Sequence, residues 1–422
     1  MHQYVCYDVF ILIPSNLGGM IGFLAGVATG VLLGTVSGLL PGVHVNTMAA
    51  GLLTLQLVLI PVFGPEMLAV AMVAALITHT FLDIIPSTFL GIPDADTALS
   101  VIPAHALCLE GKGEEAIRIA ALGSVAGFLA ALPLALALLI LAPVFQEHLD
   151  WAVAIILTGV AGYLVLFSES PWYGGLVFLA SGILGLFTFH FSFLGGGPFG
   201  FSGLLMPLLS GLFGISLLLV SGRGPVPEQY FEGIDLPSHN ITKGTIFGTI
   251  AGVVVGWLPG LSNATANAVV ASVAGYEKDR RGYLFATSAA NTVNAVAGLA
   301  AFYAIARTRN GVMVALSAIE PPPLVLLLAA AACAAICAYL LTIMLASAAW
   351  RFGGVNRDRL TLGVIVFITL LSYLMCGIFG LFILLLATLL GLVPKLLNIP
   401  QVFCMGAVMV PVIIFSLGIS GF

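Results

Sequence analysis

The chain has 422 residues, 60% hydrophobic and only 7% charged, where a soluble globular protein carries about 25% charged residues. Apolar runs long enough to cross a bilayer recur from end to end, so the fold class is an all-α polytopic membrane protein; the short alternating segments of a transmembrane β-barrel are absent. A net charge of −5, spread over loops, speaks against nucleic acid and leaves membrane lipids as the surrounding partner.

In chain order, "MHQYVCYDVF" lacks a basic n-region, so no cleaved signal peptide is expected. The stretch "GTVSGLLPGVHVNTMAAGLL" from Gly34 puts Pro-Gly in the middle of an apolar segment and follows it with polar residues. It is predicted to be a helical hairpin with the break at its tip. A broken segment then runs from near Met67, past "GIPDADT", to Lys112. Spans follow near Ile119–Leu141, Trp151–Phe167, Trp172–Phe189 and Gly203–Val220. A second hairpin lies around "GTIAGVVVGWLPGLSNATANAV" from Gly248. A segment from Tyr283 leads past Arg307 and Arg309, and spans follow near Leu324–Ala348, Leu360–Cys376, Ile378–Val393 and Val402–Leu417. The six cysteines make no framework; Cys333 and Cys337 read as small core residues on one helix face.

The two hairpins superpose. When Pro41 is set on Pro259, Gly26, Gly30, Gly34, Gly38 and Gly42 fall on Gly244, Gly248, Gly252, Gly256 and Gly260, and Val36, Leu40, Thr47 and Ala50 also meet identical residues. Shared glycine spacing plus Pro-Gly points to a duplication, a common plan in transporters. The halves are then residues 19–221 and 222–422 of one integrated membrane domain.

Lys and Arg give the orientation. None occurs before Lys112, so the first hairpin is expected to start and end outside. The second is flanked by Arg223, Lys243, Lys278, Arg280 and Arg281, so it is expected to start and end in the cytoplasm, with the loop of Arg351, Arg357 and Arg359 also cytoplasmic. Limbs of about 16 residues measure roughly 24 Å, short of a ~30 Å hydrocarbon core, which favours a re-entrant hairpin. Each half is therefore expected to be one re-entrant Pro-Gly hairpin plus about five crossings, in an inverted-topology repeat with broken helices at the midplane. Both termini fall outside, and Arg307 and Arg309 then lie outside too, against the bias.

Proline removes an amide hydrogen and glycine accepts unusual dihedrals, so Pro-Gly exposes backbone at membrane depth. That is tolerated inside protein or beside a wet cavity. The new half-helix after the break presents free N–H groups and a positive dipole end to an anion. Pro41, Gly42, His44, Asn46 and Thr47 at one tip, and Pro259, Gly260, Ser262, Asn263 and Thr265 at the other, are the candidate substrate-binding residues. The GxxxG rows leading to them serve close helix packing.

"LITHTFLDIIPSTFLGIPDADTALS" holds His79 and Asp83 one turn apart, then Asp94 and Asp96. An ionisable residue inside a span is costly and usually functional, which makes Asp83 the candidate for a coupling ion or proton. In "TSAANTVNAVAG" of the second half, Asn291, Thr292 and Asn294 offer oxygens of the kind a Na⁺ site uses, or hydrogen bonds between helices. HExxH, GxSxG and Walker sequences are absent, so an enzyme is not expected and no cofactor beyond Na⁺ or H⁺ is implied.

Taken in order, "GVLLGTVSGLLPG", "GIPDADTALSVIPAHALCLEGKGEEAIRIAALGSVAG", "GTIAGVVVGWLPG" and "AANTVNAVAG" resemble the large membrane subunit of tripartite tricarboxylate transporters, the TctA family, over most of the chain. The resemblance implies an ion-gradient-driven carrier of small carboxylate anions in the plasma membrane. It also implies a small membrane subunit and an extracytoplasmic solute-binding protein as partners. By position it assigns binding to residues 41–47 and 259–265 and to Asn291 with Asn294. Two other readings compete: a flippase for a lipid phosphate such as polyprenyl phosphate, its head at the same tips, and a non-transporting scaffold subunit.

Overall fold

The structure is a computed structural model and describes residues 17–40, 45–54, 56–90, 101–198, 204–220, 227–258, 279–348, 351 and 356–418. Among the described residues every regular element is helical. The first half holds α1 (Leu17–Leu39), α2 (Val45–Thr54), α3 (Gln56–Leu82), α4 (Ile84–Leu90), α5 (Val101–Leu109), α6 (Gly113–Leu166), α7 (Pro171–His190), α8 (Leu205–Leu209) and α9 (Ser216–Val220), the last two joined by a π-helical turn, Ser210–Ile215. The second holds α10 (Ser238–Trp257), α11 (Arg280–Ile305), α12 (Gly311–Ser317), α13 (Leu324–Ser347), α14 (Arg357–Leu396) and α15 (Gly406–Ser416). Among the described residues, 7 helices are long and apolar enough to cross a membrane, and Ala154–Leu166, Leu205–Val220 and Gln401–Ser416 are shorter apolar helices. The protein is a polytopic membrane protein.

Most expected spans are found as helices, with two differences. The spans expected on either side of residues 142–150 run together in α6, a single helix of 54 residues. Its Pro133 and Pro143 lie inside the helix without ending it, because the polar residues between the spans include no glycine turn to stop it. The two spans expected around Gly377 are the two parts of α14, which Gly377 breaks with φ 65°, a value that favours glycine. The hairpin limbs are longer than expected: α1 has 23 residues and α10 has 20, about 35 and 30 Å at ~1.5 Å per residue. The start of the next segment is where the sequence put it. Gly64, at φ 78°, interrupts α3, and the helix restarts at Pro65, where a missing amide hydrogen costs nothing.

Glycine rows fix how the helices dock. On α1, a Cβ at Gly26 would strike Val70 of α3, one at Gly30 Ala71 and Ala74, one at Gly34 Ala75 and Thr78, and one at Gly38 Leu82. On α10, Gly244 meets Phe285 of α11, Gly248 Ala286 and Ala289, Gly252 Ala290 and Val293, and Gly256 Ala297. The shift from Val70 to Phe285 is also the shift from Ala74 to Ala289 and from Leu82 to Ala297. Each half therefore docks its first long helix on the next in the same register, the small residues letting the backbones touch.

Other contacts recur with the halves exchanged. Gly185 of α7 sits against the Ala407 carbonyl of α15, and Gly391 of α14 against the Leu212 carbonyl of the π turn. Gly406 abuts the Phe178 carbonyl, and Gly211 the Leu384 carbonyl. The shift from Gly185 to Gly391 equals that from Phe178 to Leu384, and the shift from Gly211 to Gly406 equals that from Leu212 to Ala407. The last helix of each half thus packs on the preceding helix of the other.

The chain between the halves is tied down at one end of the bundle. Gln229 accepts from the Gly113 amide at 2.9 Å and donates to the Cys108 carbonyl at 3.0 Å, and the Tyr230 amide donates to the Gly111 carbonyl at 2.9 Å. Gly111 has φ 82°, and a Cβ there would strike the Tyr230 ring. Buried Glu115 accepts from Arg281 at 2.8 and 3.0 Å and from the Asp235 amide at 3.0 Å. Arg280 pairs with Glu110 at 2.6 Å, and Arg118 reaches Ser347 at the end of α13 at 3.0 Å. The starts of α6 and α11 and the end of α13 therefore share one basic end.

Candidate functional site

Asp83 stands where α3 stops and α4 begins. Three residues on, Pro86 has no amide hydrogen to offer the Leu82 carbonyl, so the helical ladder breaks here. Hydroxyls from other helices reach the carbonyls just before this point. Ser124 of α6 donates to the Thr80 carbonyl at 3.4 Å, and Thr342 of α13 donates to the Phe81 carbonyl at 3.3 Å. The Asp83 carbonyl accepts from Ser87 at 3.0 Å.

The second half meets this break directly. Asn291 of α11 donates from Nδ2 to Asp83 Oδ2 at 2.7 Å, and Asp83 and Asn291 are 5% and 4% exposed. The hydroxyls of Thr80 and Thr292 are 3.1 Å apart, and both residues are buried. Ser124 lies between the two helices, 3.4 Å from the Thr80 carbonyl and 3.4 Å from the Ser288 carbonyl. His79 Nδ1 is 3.1 Å from Ser37 Oγ of α1. The result is a buried seam of oxygen ligands and one carboxylate, shared by the two halves. Such groups suit a proton or a monovalent cation, and no group of three or more His, Cys, Asp or Glu that could hold a metal is found among the described residues.

Of the residues singled out from sequence, the structure brings Asp83, Asn291 and Thr292 together. Asn294 lies elsewhere on α11, its carbonyl against Gly256 of α10. Asn46 and Thr47 fall in α2, but their side chains lie outside the described residues. Pro41, Gly42, His44, Pro259, Gly260, Ser262, Asn263, Thr265, Asp94 and Asp96 also lie outside the described residues. The limbs that lead to both tips are placed: Gly38 ends its contacts beside Leu82 and Asp83, and Gly256 beside Ala297 and Gly298. Sequence reading passed over Ser37, Thr80, Ser124, Ser288 and Thr342. Single hydroxyls in apolar helices are common, and nothing local marks the ones that face a break two helices away.

The sequence matches the Tripartite tricarboxylate transporter TctA family over residues 24–406. The chain belongs to the TctA family. This TctA chain is also similar to an uncharacterised protein of Methanocaldococcus jannaschii, 28% identical over 305 residues, 71% of this chain and 72% of that protein. No solved structure matches it. Membership makes the protein a membrane protein of the tricarboxylate-transporter type and implies partner subunits with a solute-binding protein. The lipid-phosphate flippase reading draws no support from the TctA match.

Proposed function

We propose that this protein is a secondary active transporter that moves organic carboxylate anions, di- or tricarboxylates, across the plasma membrane, coupled to a Na⁺ or H⁺ gradient. One observation carries the reading: the Asp83 carboxylate, at a helix break inside the bundle, is bound by Asn291 from the other half. A buried carboxylate is tolerated when a proton or cation neutralises it. The oxygens of Thr80, Thr292 and Asn291 are ligands of the type Na⁺ takes. A site shared between halves changes when the halves rearrange, which is what alternating access requires.

In this reading the anion binds at the two hairpin tips, residues 41–47 and 259–265, and the halves 19–221 and 222–422 are inverted repeats. The basic end faces the cytoplasm, following the Lys and Arg bias. Both termini are extracytoplasmic. A small membrane subunit and an extracytoplasmic binding protein deliver the substrate.

The test is uptake of radiolabelled citrate and succinate into proteoliposomes under an imposed Na⁺ or pH gradient. Wild-type protein accumulates substrate with one of the two gradients. Asp83→Asn lowers gradient-driven accumulation at least about tenfold, and uptake independent of any gradient and of Asp83 refutes the reading.

A further inference from the structure

Arg307 and Arg309 stand at the other end of α11 from Arg280 and Arg281, about 39 Å away along a helix of that length. They are therefore separated from the basic end, against the tendency of Lys and Arg to gather on one side. Their backbone turns back on the bundle. Ala306, at φ 52°, ends α11 in a left-handed conformation, and Asn310 caps α12 by accepting from the Met313 amide at 3.0 Å. The turn lays Arg309 along α11, with its Cβ facing Gly298. Gly298 lies two helical turns, about 10 Å, beyond Asn291. Arg307 donates to the Trp257 carbonyl at 3.2 Å. Both arginines are half-buried, and Arg307 abuts the last turn of α10, immediately before Pro259. In the same turn, the indole nitrogen of Trp257 is buried without a hydrogen-bond partner among the described residues.

Register adds a second argument. The shift that carries Leu82 to Ala297 carries Asp83 to Gly298. The first half therefore places a carboxylate where the second half places a glycine with an arginine packed against it. A half-buried guanidinium calls for an anionic or carbonyl partner. Its planar fork matches the two oxygens of a carboxylate, which a lysine does not.

We propose that Arg307 and Arg309, with the Trp257 indole N–H, form an anion site beside the last turn of α10, receiving a carboxylate of the transported molecule while Asp83 takes the cation. The assignment of the carboxylate rests on the carrier reading above.

The experiment is a thermal-shift titration of the purified full chain with citrate, succinate and inorganic phosphate at fixed chloride. Arg307→Gln and Arg309→Gln raise the half-saturating concentration roughly tenfold or more. The lysine variants recover part of that loss, and Trp257→Phe, which keeps the ring, weakens binding several-fold. Reading half-saturation rather than melting temperature separates recognition from a structural role in capping α10. If the Gln variants and Trp257→Phe titrate like wild type, the arginine site is refuted while the carrier reading stands. A response to phosphate alone, lost in the Arg variants, supports the anion site and counts against the carboxylate carrier. A wild-type protein that responds to none of the three anions refutes the site.

Discussion

Asp83 and Asn291 are joined by a hydrogen bond in a place where water is scarce. Removing one partner of such a pair is more damaging than removing both, because the partner left behind keeps its desolvation cost. Asn291→Leu is expected to destabilise the protein by about 2–3 kcal/mol, and Asp83→Leu with Asn291→Leu by clearly less than the sum of the single changes. A double-mutant cycle of unfolding in detergent measures this, and additive losses would show that the two side chains are not coupled. Thr80 and Thr292 do not carry this risk, since each hydroxyl pairs with a neutral partner. Ser124 differs again: its single hydroxyl hydrogen is shared between carbonyls from the two halves, so it aligns the seam without holding charge.

At the scale of the element, glycine plays two parts that composition does not separate. Gly185 lies against the Ala407 backbone with no room for a Cβ, whereas Gly363, exposed on α14, has nothing near it. Gly185→Ala is expected to force α7 and α15 apart and lower the unfolding temperature. Gly363→Ala is expected to leave it unchanged or raise stability by about 0.5–1 kcal/mol through helix propensity; scanning calorimetry of both variants checks the contrast. Sequence made the first kind legible in the rows of α1 and α10, because the spacing occurs twice and marks a packing face. It did not reveal Gly185, Gly391, Gly211 and Gly406, whose partners belong to the opposite half and share no spacing with them. Helix positions were legible because apolar length is local. The merging of two spans in α6 was not, because only a true breaker ends a helix and the residues between those spans supply none. The site was half legible: a lone acid in an apolar run marks itself, but the hydroxyls that meet its helix are set by packing between helices distant in sequence.

For the whole molecule, the exchanged contacts carry a geometric consequence. If one half's α7 packs on the other half's α15, while the equivalent segment of α14 packs on the π turn, a single operation swaps the two halves. In the proposed repeat that operation is a pseudo-two-fold rotation, its axis either along the membrane normal or in the membrane plane. The inverted repeat proposed above puts it in the plane. Arg118, Arg280 and Arg281 gather at one end, where α6 and α11 both start. The start of α10 joins them, since Asn240 hydrogen-bonds to Asp279, the cap of α11. An in-plane axis places the start of α1 on the face opposite the start of α10. Met20 and Ser238 are register equivalents, and both are exposed. In a background without native cysteines, Met20→Cys is expected to react with an impermeant maleimide added outside intact cells. Ser238→Cys is expected to react only after the membrane is opened. Labelling of both from one side would put the axis along the normal, and with it would go the inverted repeat on which alternating access at the Asp83 seam depends.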